Sequence, residues 1–236
     1  MSETVPAPGK VRRDALNDIA DSLSVLAARL RGRAAASQDF ARLTEHAREI
    51  AAQAWEVQTS RWGFVENAGR LADALVAFAD EAAAACVRAT SETDCTLATV
   101  DALVAQSGRL AHLARRGDAG SDEVRAVLGP LEVTLTAMRV EGATGGSVTA
   151  DAAALARRAS MVSDYAVGLK GGGRQAGEAA AAIAKAMTGF IDEAALIANR
   201  MTGASDRLSD AVTRMASGTD AAKRRYVDRV TGVVWS

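Results

Sequence analysis

Ile183-Ala184-Lys185-Ala186-Met187-Thr188-Gly189-Phe190-Ile191-Asp192-Glu193-Ala194-Ala195-Leu196-Ile197-Ala198-Asn199-Arg200-Met201 decides the fold class. Ile183, Met187, Phe190, Ala194, Ile197 and Met201 recur four and three residues apart, which sets them on one stripe of an α-helix. The stripe continues through Ala204, Leu208, Ala211 and Met215. Ala184, Ile191, Ala198, Ser205 and Val212, one place after each Ile183-type position, widen it beyond a two-residue seam, so the helix is expected to pack against at least two neighbours in a bundle. The same spacing governs Ala152, Leu155, Ala159, Val162, Ala166 and Leu169, with Gly171-Gly172-Gly173 between the two halves. Three glycines cost roughly 3 kcal/mol relative to alanine inside a helix, so they read as a hairpin turn between helices near 150–170 and 174–217. Because the phase runs through them without a slip, one very long helix is the other reading.

Towards the N-terminus, Ile19, Leu23, Leu26 and Leu30 predict a helix over residues 10–33. From Phe40 through Ala47, Ile50, Ala54, Val57, Arg61 and Phe64 to Leu71, Leu75, Phe78 and Ala85, the pattern predicts a single helix over 38–88. Arg61 on the seam, with Gly63 and Gly69, marks residues 60–63 as a place for a kink or break. Thr90-Ser91-Glu92-Thr93-Asp94 reads as a turn into a helix that Arg115-Arg116-Gly117 ends. Another helix starts at Ser121-Asp122-Glu123 and is interrupted at Gly129-Pro130. Residues 141–147, rich in glycine, read as a loop, and Ser217-Gly218-Thr219-Asp220 as the start of a short basic last helix. The expected organisation is a disordered lead over 1–9, an N-terminal bundle portion over 10–141, a C-terminal helical hairpin over 148–231 packing on it, and a tail over 232–236.

The composition agrees with an all-α chain. Of 236 residues 54 are alanine, the best helix former, and no proline falls between Pro8 and Pro130. The 28 Lys and Arg against 29 Asp and Glu leave a net charge of -1, which offers no general attraction for a nucleic-acid backbone. No apolar run is long enough to span a bilayer, and Met1-Ser2-Glu3-Thr4 lacks an apolar leader, so a cytoplasmic protein is expected. Alanine-rich seams bury little area per residue, so the fold class expected is an elongated antiparallel multi-helix bundle, or coiled-coil hairpins with alanine-rich heptad seams, with burial also shared in a homo-oligomer.

Few residues carry chemistry. His46 and His112 do not stand three residues after a glutamate as di-iron bundle ligands would, and no metal or cofactor site is expected. His112, with Arg115-Arg116-Gly117 behind it, loosely resembles the phospho-accepting histidine of phosphotransfer bundles. Glu49 and Gln53 have the spacing of the acidic-x-x-x-glutamine pair of chemotaxis response-regulator phosphatases, with glutamate where that family has aspartate. Cys86 and Cys95 are expected to be reduced thiols, or to approach one another across the turn between them. Trp55 and Trp62 share a helix face with Ala41, Val76 and Ala83, which a third helix covers or which, with Arg61, binds a partner. Trp235 has the same two readings, and Lys223-Arg224-Arg225 with Arg229 makes a small basic face.

Arg174-Gln175-Ala176-Gly177-Glu178 resembles part of the hairpin tip of bacterial chemoreceptors. The glycine-phenylalanine-valine continuation of that tip is absent, and Asp80-Glu81 and Asp192-Glu193 do not complete a methylation consensus, so no family is assigned. The expected role is a non-enzymatic interaction or scaffold protein of bacterial signalling whose partner is another protein, helical or a signalling component. The alternatives are a phosphatase or phosphotransfer protein acting on a response regulator, and an amphipathic coat on a lipid or polymer surface.

Overall fold

The computed structural model describes the backbone of residues 8–60, 63–115 and 121–231, and the side chains of 14–60, 63–112, 128–137, 148–202, 212–215 and 217. Among the described residues the chain is all-α, an antiparallel bundle of four helices: α1 (Pro8–Thr59), α2 (Phe64–Arg115), α3 (Ser121–Lys170) and α4 (Gly173–Thr231). No helix among them is long and apolar enough to cross a membrane. Of the lead expected over 1–9, Pro8 and Gly9 already belong to α1 and residues 1–7 lie outside the described residues, as does the expected tail over 232–236.

Two compact units divide the chain, and each takes a segment from every helix. In the unit formed by Gly32–Thr93 and Gly145–Gly203, Phe40, Leu43, Ala47 and Ile50 of α1 join Leu71, Leu75 and Phe78 of α2, Leu155 and Ala159 of α3, and Ile183, Met187 and Phe190 of α4 in one core. In the other unit, Leu16, Ile19, Leu23, Leu26 and Leu30 form a core with Val100, Leu103, Leu110, Leu128, Leu131, Leu135, Val212 and Met215.

Side-chain pairs show the antiparallel order in the Gly32–Thr93/Gly145–Gly203 unit. Asp39 Oδ2 lies 2.9 Å from Arg88 Nε, and seven residues up α1 and seven down α2, His46 Nδ1 lies 2.9 Å from Glu81 Oε2. On α3 and α4, Asp151 pairs with Arg200 and Arg158 Nη1 lies 2.9 Å from Glu193 Oε1, with the same opposed progression. Ser37 on α1 meets Thr202 on α4, and the Phe78 ring of α2 meets that of Phe190 on α4 edge-on at 4.7 Å. The α1–α2 and α3–α4 turns therefore lie at one end of this unit.

Glycine makes both turns. Gly63 at φ 73° ends the first, and its carbonyl accepts the Asn67 N–H at 3.0 Å. Gly172 and Gly173, at φ 72° and 52°, make the second. These are left-handed conformations that cost an L-residue with a Cβ roughly 1–2 kcal/mol. The predicted 38–88 helix is thus two antiparallel helices meeting at residues 60–63, while Gly171–Gly173 is a turn and not the middle of one long helix.

Five other predicted interruptions are absent among the described residues. The helix predicted over 10–33 continues to Thr59, and α2 passes unbroken through residues 90–94. In both places polar residues occupy the inward positions and keep the phase: Arg33 and Ser37 on α1, and Thr93 and Thr96 on α2, are all buried. Ser37 Oγ donates to the Ala34 carbonyl one turn back at 2.7 Å, so the hydroxyl is satisfied without ending the helix. α3 carries Pro130 within it and continues through 141–147, so the expected loop there is helix. Pro130 is exposed, its ring turned away from the buried Leu128, Leu131 and Leu135 that hold the segment in place. The short last helix expected from Ser217 is the end of α4.

Two glycine substitutions have opposite expected signs. Gly63→Ala forces a Cβ into φ 73° and should lower stability by about 1–2 kcal/mol. Gly69, inside α2 with nothing within 4 Å of where a Cβ would stand, should gain about 0.5–1 kcal/mol as alanine. Urea midpoints of the two variants against the parent check both.

Candidate functional site

The residues singled out in the sequence do not converge on one site. Glu49 is exposed on α1, and Gln53, one turn on, is half-buried with Oε1 shielded from solvent and without a hydrogen-bond partner. His112 is exposed near the C-terminal end of α2. Among the described residues no three His, Cys, Asp or Glu side chains are grouped as a metal ion would need. Arg61, Trp62 and Trp235 lie outside the described residues, and the side chains of Lys223, Arg224, Arg225 and Arg229 do so as well.

Trp55 is described, and no third helix covers it: the side chain is 64% exposed. Ala41, Val76 and Ala83 are exposed too, and the turn at 60–63 puts Val76 and Ala83 on a different helix from Trp55. Other apolar side chains stand open beside the same pair of turns. Val65, second residue of α2, is 80% exposed, and Met161, Tyr165 and Val167 in the last turns of α3 are 66%, 41% and 76% exposed. Isolated exposed apolar residues are ordinary, and these five lie on the helix segments that flank the two turns.

Both cysteines are free, and both lie on the uninterrupted α2, so the turn expected to bring them together is absent. Nine residues of helix separate their Cα atoms by roughly 13 Å along the axis, beyond disulfide reach. Burial pushes the Cys86 thiol up to about 11 from 9.0, partly offset by a hydrogen bond with the Ala156 backbone on α3. The thiol is therefore kept protonated and unreactive.

Sequence reading missed the ion pairs that join α1 to α2 and α3 to α4. Their signal lies in the strings Phe78-Ala79-Asp80-Glu81-Ala82-Ala83 and Phe190-Ile191-Asp192-Glu193-Ala194-Ala195, whose acidic pairs read in isolation only as fragments of a methylation consensus. His46 also has a structural use that its sequence context does not reveal: it sits edge-on to Phe78 at 5.5 Å while reaching Glu81. Comparisons with protein-family models, with curated proteins and with solved structures give no match.

A folded-state thiol pKa raised from 9.0 to about 11 leaves stability untouched below pH 9 and erodes it as pH rises through about 11, because the unfolded chain sheds that proton first. Unfolding free energies measured between pH 8 and 11 should fall more steeply for the parent than for Cys86→Ala. Alkylation of Cys86 should require unfolding.

Proposed function

We propose that this chain is a non-enzymatic helical scaffold that presents the turn end of its Gly32–Thr93/Gly145–Gly203 unit to another protein. The observation that supports this reading is the set of exposed apolar side chains at that end, Trp55 and Val65 beside one turn and Met161, Tyr165 and Val167 before the other. Tryptophan and tyrosine are enriched at binding hot spots because they offer large rigid area at little entropic cost. Three-four spacing over long alanine-rich helices is the pattern of an elongated coiled coil, and a place in bacterial signalling in the cytoplasm rests on analogy with chemoreceptor hairpins. The Glu49 and Gln53 pair does not favour the phosphatase alternative, since the Gln53 oxygen that would orient a water is shielded from solvent.

The test compares proteins retained from a source-cell extract by immobilised parent and by Trp55→Ala. Truncating a hot-spot tryptophan costs ~2 kcal/mol, about 30-fold in affinity, whereas an exposed side chain should leave the melting temperature unchanged. A protein held by the parent and lost from the folded variant is expected. The same retained set from both would sink the reading.

A further inference from the structure

The two halves of the chain repeat one another at an offset of 112 residues. Asp39 and Asp151, Arg88 and Arg200, His46 and Arg158, and Glu81 and Glu193 stand that far apart, so each of these side-chain contacts joining α1 to α2 has its counterpart joining α3 to α4. Buried positions obey the same offset: Leu43 and Leu155, Ala54 and Ala166, Leu71 and Ile183, Ala82 and Ala194. In the other unit Leu16 and Leu128, Leu23 and Leu135, and Val100 and Val212 do so as well. A shared three-four period alone would align buried positions. It would not align Phe78-x-Asp80-Glu81-Ala82-Ala83-x-x-x-x-Arg88-x-Thr90 with Phe190-x-Asp192-Glu193-Ala194-Ala195-x-x-x-x-Arg200-x-Thr202, where seven of thirteen positions are identical and five of those are not alanine.

Phe78 touches Phe190, its own counterpart, at a ring distance of 4.7 Å. A residue meeting its equivalent is the mark of an isologous contact beside a two-fold axis. The contacts Asp39–Arg88, His46–Glu81, Asp151–Arg200 and Arg158–Glu193 each lie within a helix pair, α1 with α2 or α3 with α4. Across the join between pairs the named polar contacts are neutral: the Thr202 hydroxyl to Ser37 Oγ at 3.1 Å, and Cys86 with the Ala156 backbone. Each pair is thus tied in register by contacts of its own, and at the join between the pairs Phe78 packs on its own counterpart.

We propose that residues 8–115 and 121–231 are two copies of one helix pair, and that the face joining them accepts the corresponding pair of a second copy of this chain, giving an exchanged dimer. Exchange conserves the contacts across the join, so concentration decides between the closed monomer and the dimer. The proposal concerns this inner face and is independent of what binds the turn end.

Ser37 and Thr202 supply the reporter, since their hydroxyls touch across the join. In a Cys86→Ala, Cys95→Ala background, Ser37→Cys with Thr202→Cys is refolded under oxidising conditions, dilute and concentrated, and run on non-reducing denaturing gels. Dilute refolding should yield the 24.4 kDa chain closed on itself. Concentrated refolding should add covalent dimer, absent from Ser37→Cys alone. A single-chain band at every concentration, a non-covalent dimer whose disulfides stay within each chain, or equal dimer from the single cysteine overturns the proposal. If the cysteine pair does not close on dilute refolding, isotope-labelled and unlabelled parent chains are refolded together at high concentration. Mixed dimers that survive dilution are then expected by native mass spectrometry, and monomer alone overturns it.

Discussion

An inward stripe in which alanine alternates with leucine and other larger residues gains less burial per residue than a stripe of large residues alone, and at ~25 cal/mol per Å² it collects part of its stabilisation along length. The rest of the structure depends on that constraint, because the helices have to hold one phase over 52, 52, 50 and 59 residues. Polar residues are admitted to the stripe where they preserve the phase, as Arg33, Ser37, Thr93 and Thr96 do. Gly32 serves the same end: a Cβ there would stand 2.7 Å from Glu92 Oε2, so the glycine leaves room for the carboxylate beside α1.

A stripe whose period repeats every seven residues does not by its phase alone fix how far one helix slides along another. Sliding by seven residues restores the apolar phase, and the ion pairs discriminate against that error. Displaced one way, Asp39 would face Glu81 and Asp151 would face Glu193. Displaced the other way, Arg158 would face Arg200 and His46 would face Arg88. The native register alone puts an arginine beside an acid at Asp39–Arg88, Asp151–Arg200 and Arg158–Glu193, and the His46 ring beside the Glu81 carboxylate. Exposed pairs of this kind contribute ~0.2–1 kcal/mol each, and their value lies in the difference between the native and the slipped arrangements.

The helical class, the turn at Gly171–Gly173 and the weak point at 60–63 were legible because periodicity and glycine are local signals. The false loop at 141–147 and the false turn at 90–94 came from weighing glycine, serine and threonine locally. A helix anchored on both sides by buried leucine, valine or alanine absorbs about 1 kcal/mol per glycine, and a hydroxyl that can bond one turn back does not break it. The ion pairs were invisible for a different reason. They join residues 35 and 49 positions apart, and their partners can be named only once the turn fixes which residues face each other. Trp55 was legible as an apolar residue off the stripe, but whether a helix covers it is a tertiary fact.

The two copies agree inside and diverge outside, and that contrast bears on function. At the offset that matches Asp39 to Asp151 and Phe78 to Phe190, Glu49 corresponds to Met161 and Gln53 to Tyr165, so the candidate acid and amide of the first copy are apolar or aromatic in the second. Trp55 corresponds to Val167, both strongly exposed, while the 80% exposed Val65 corresponds to Gly177. Residues that set register are under the same physical demand in either copy and stay matched. Residues around the turns are released from that demand, and there the copies present different side chains. A partner that reads this end therefore meets one asymmetric face per chain, carried on an interior that is nearly symmetric.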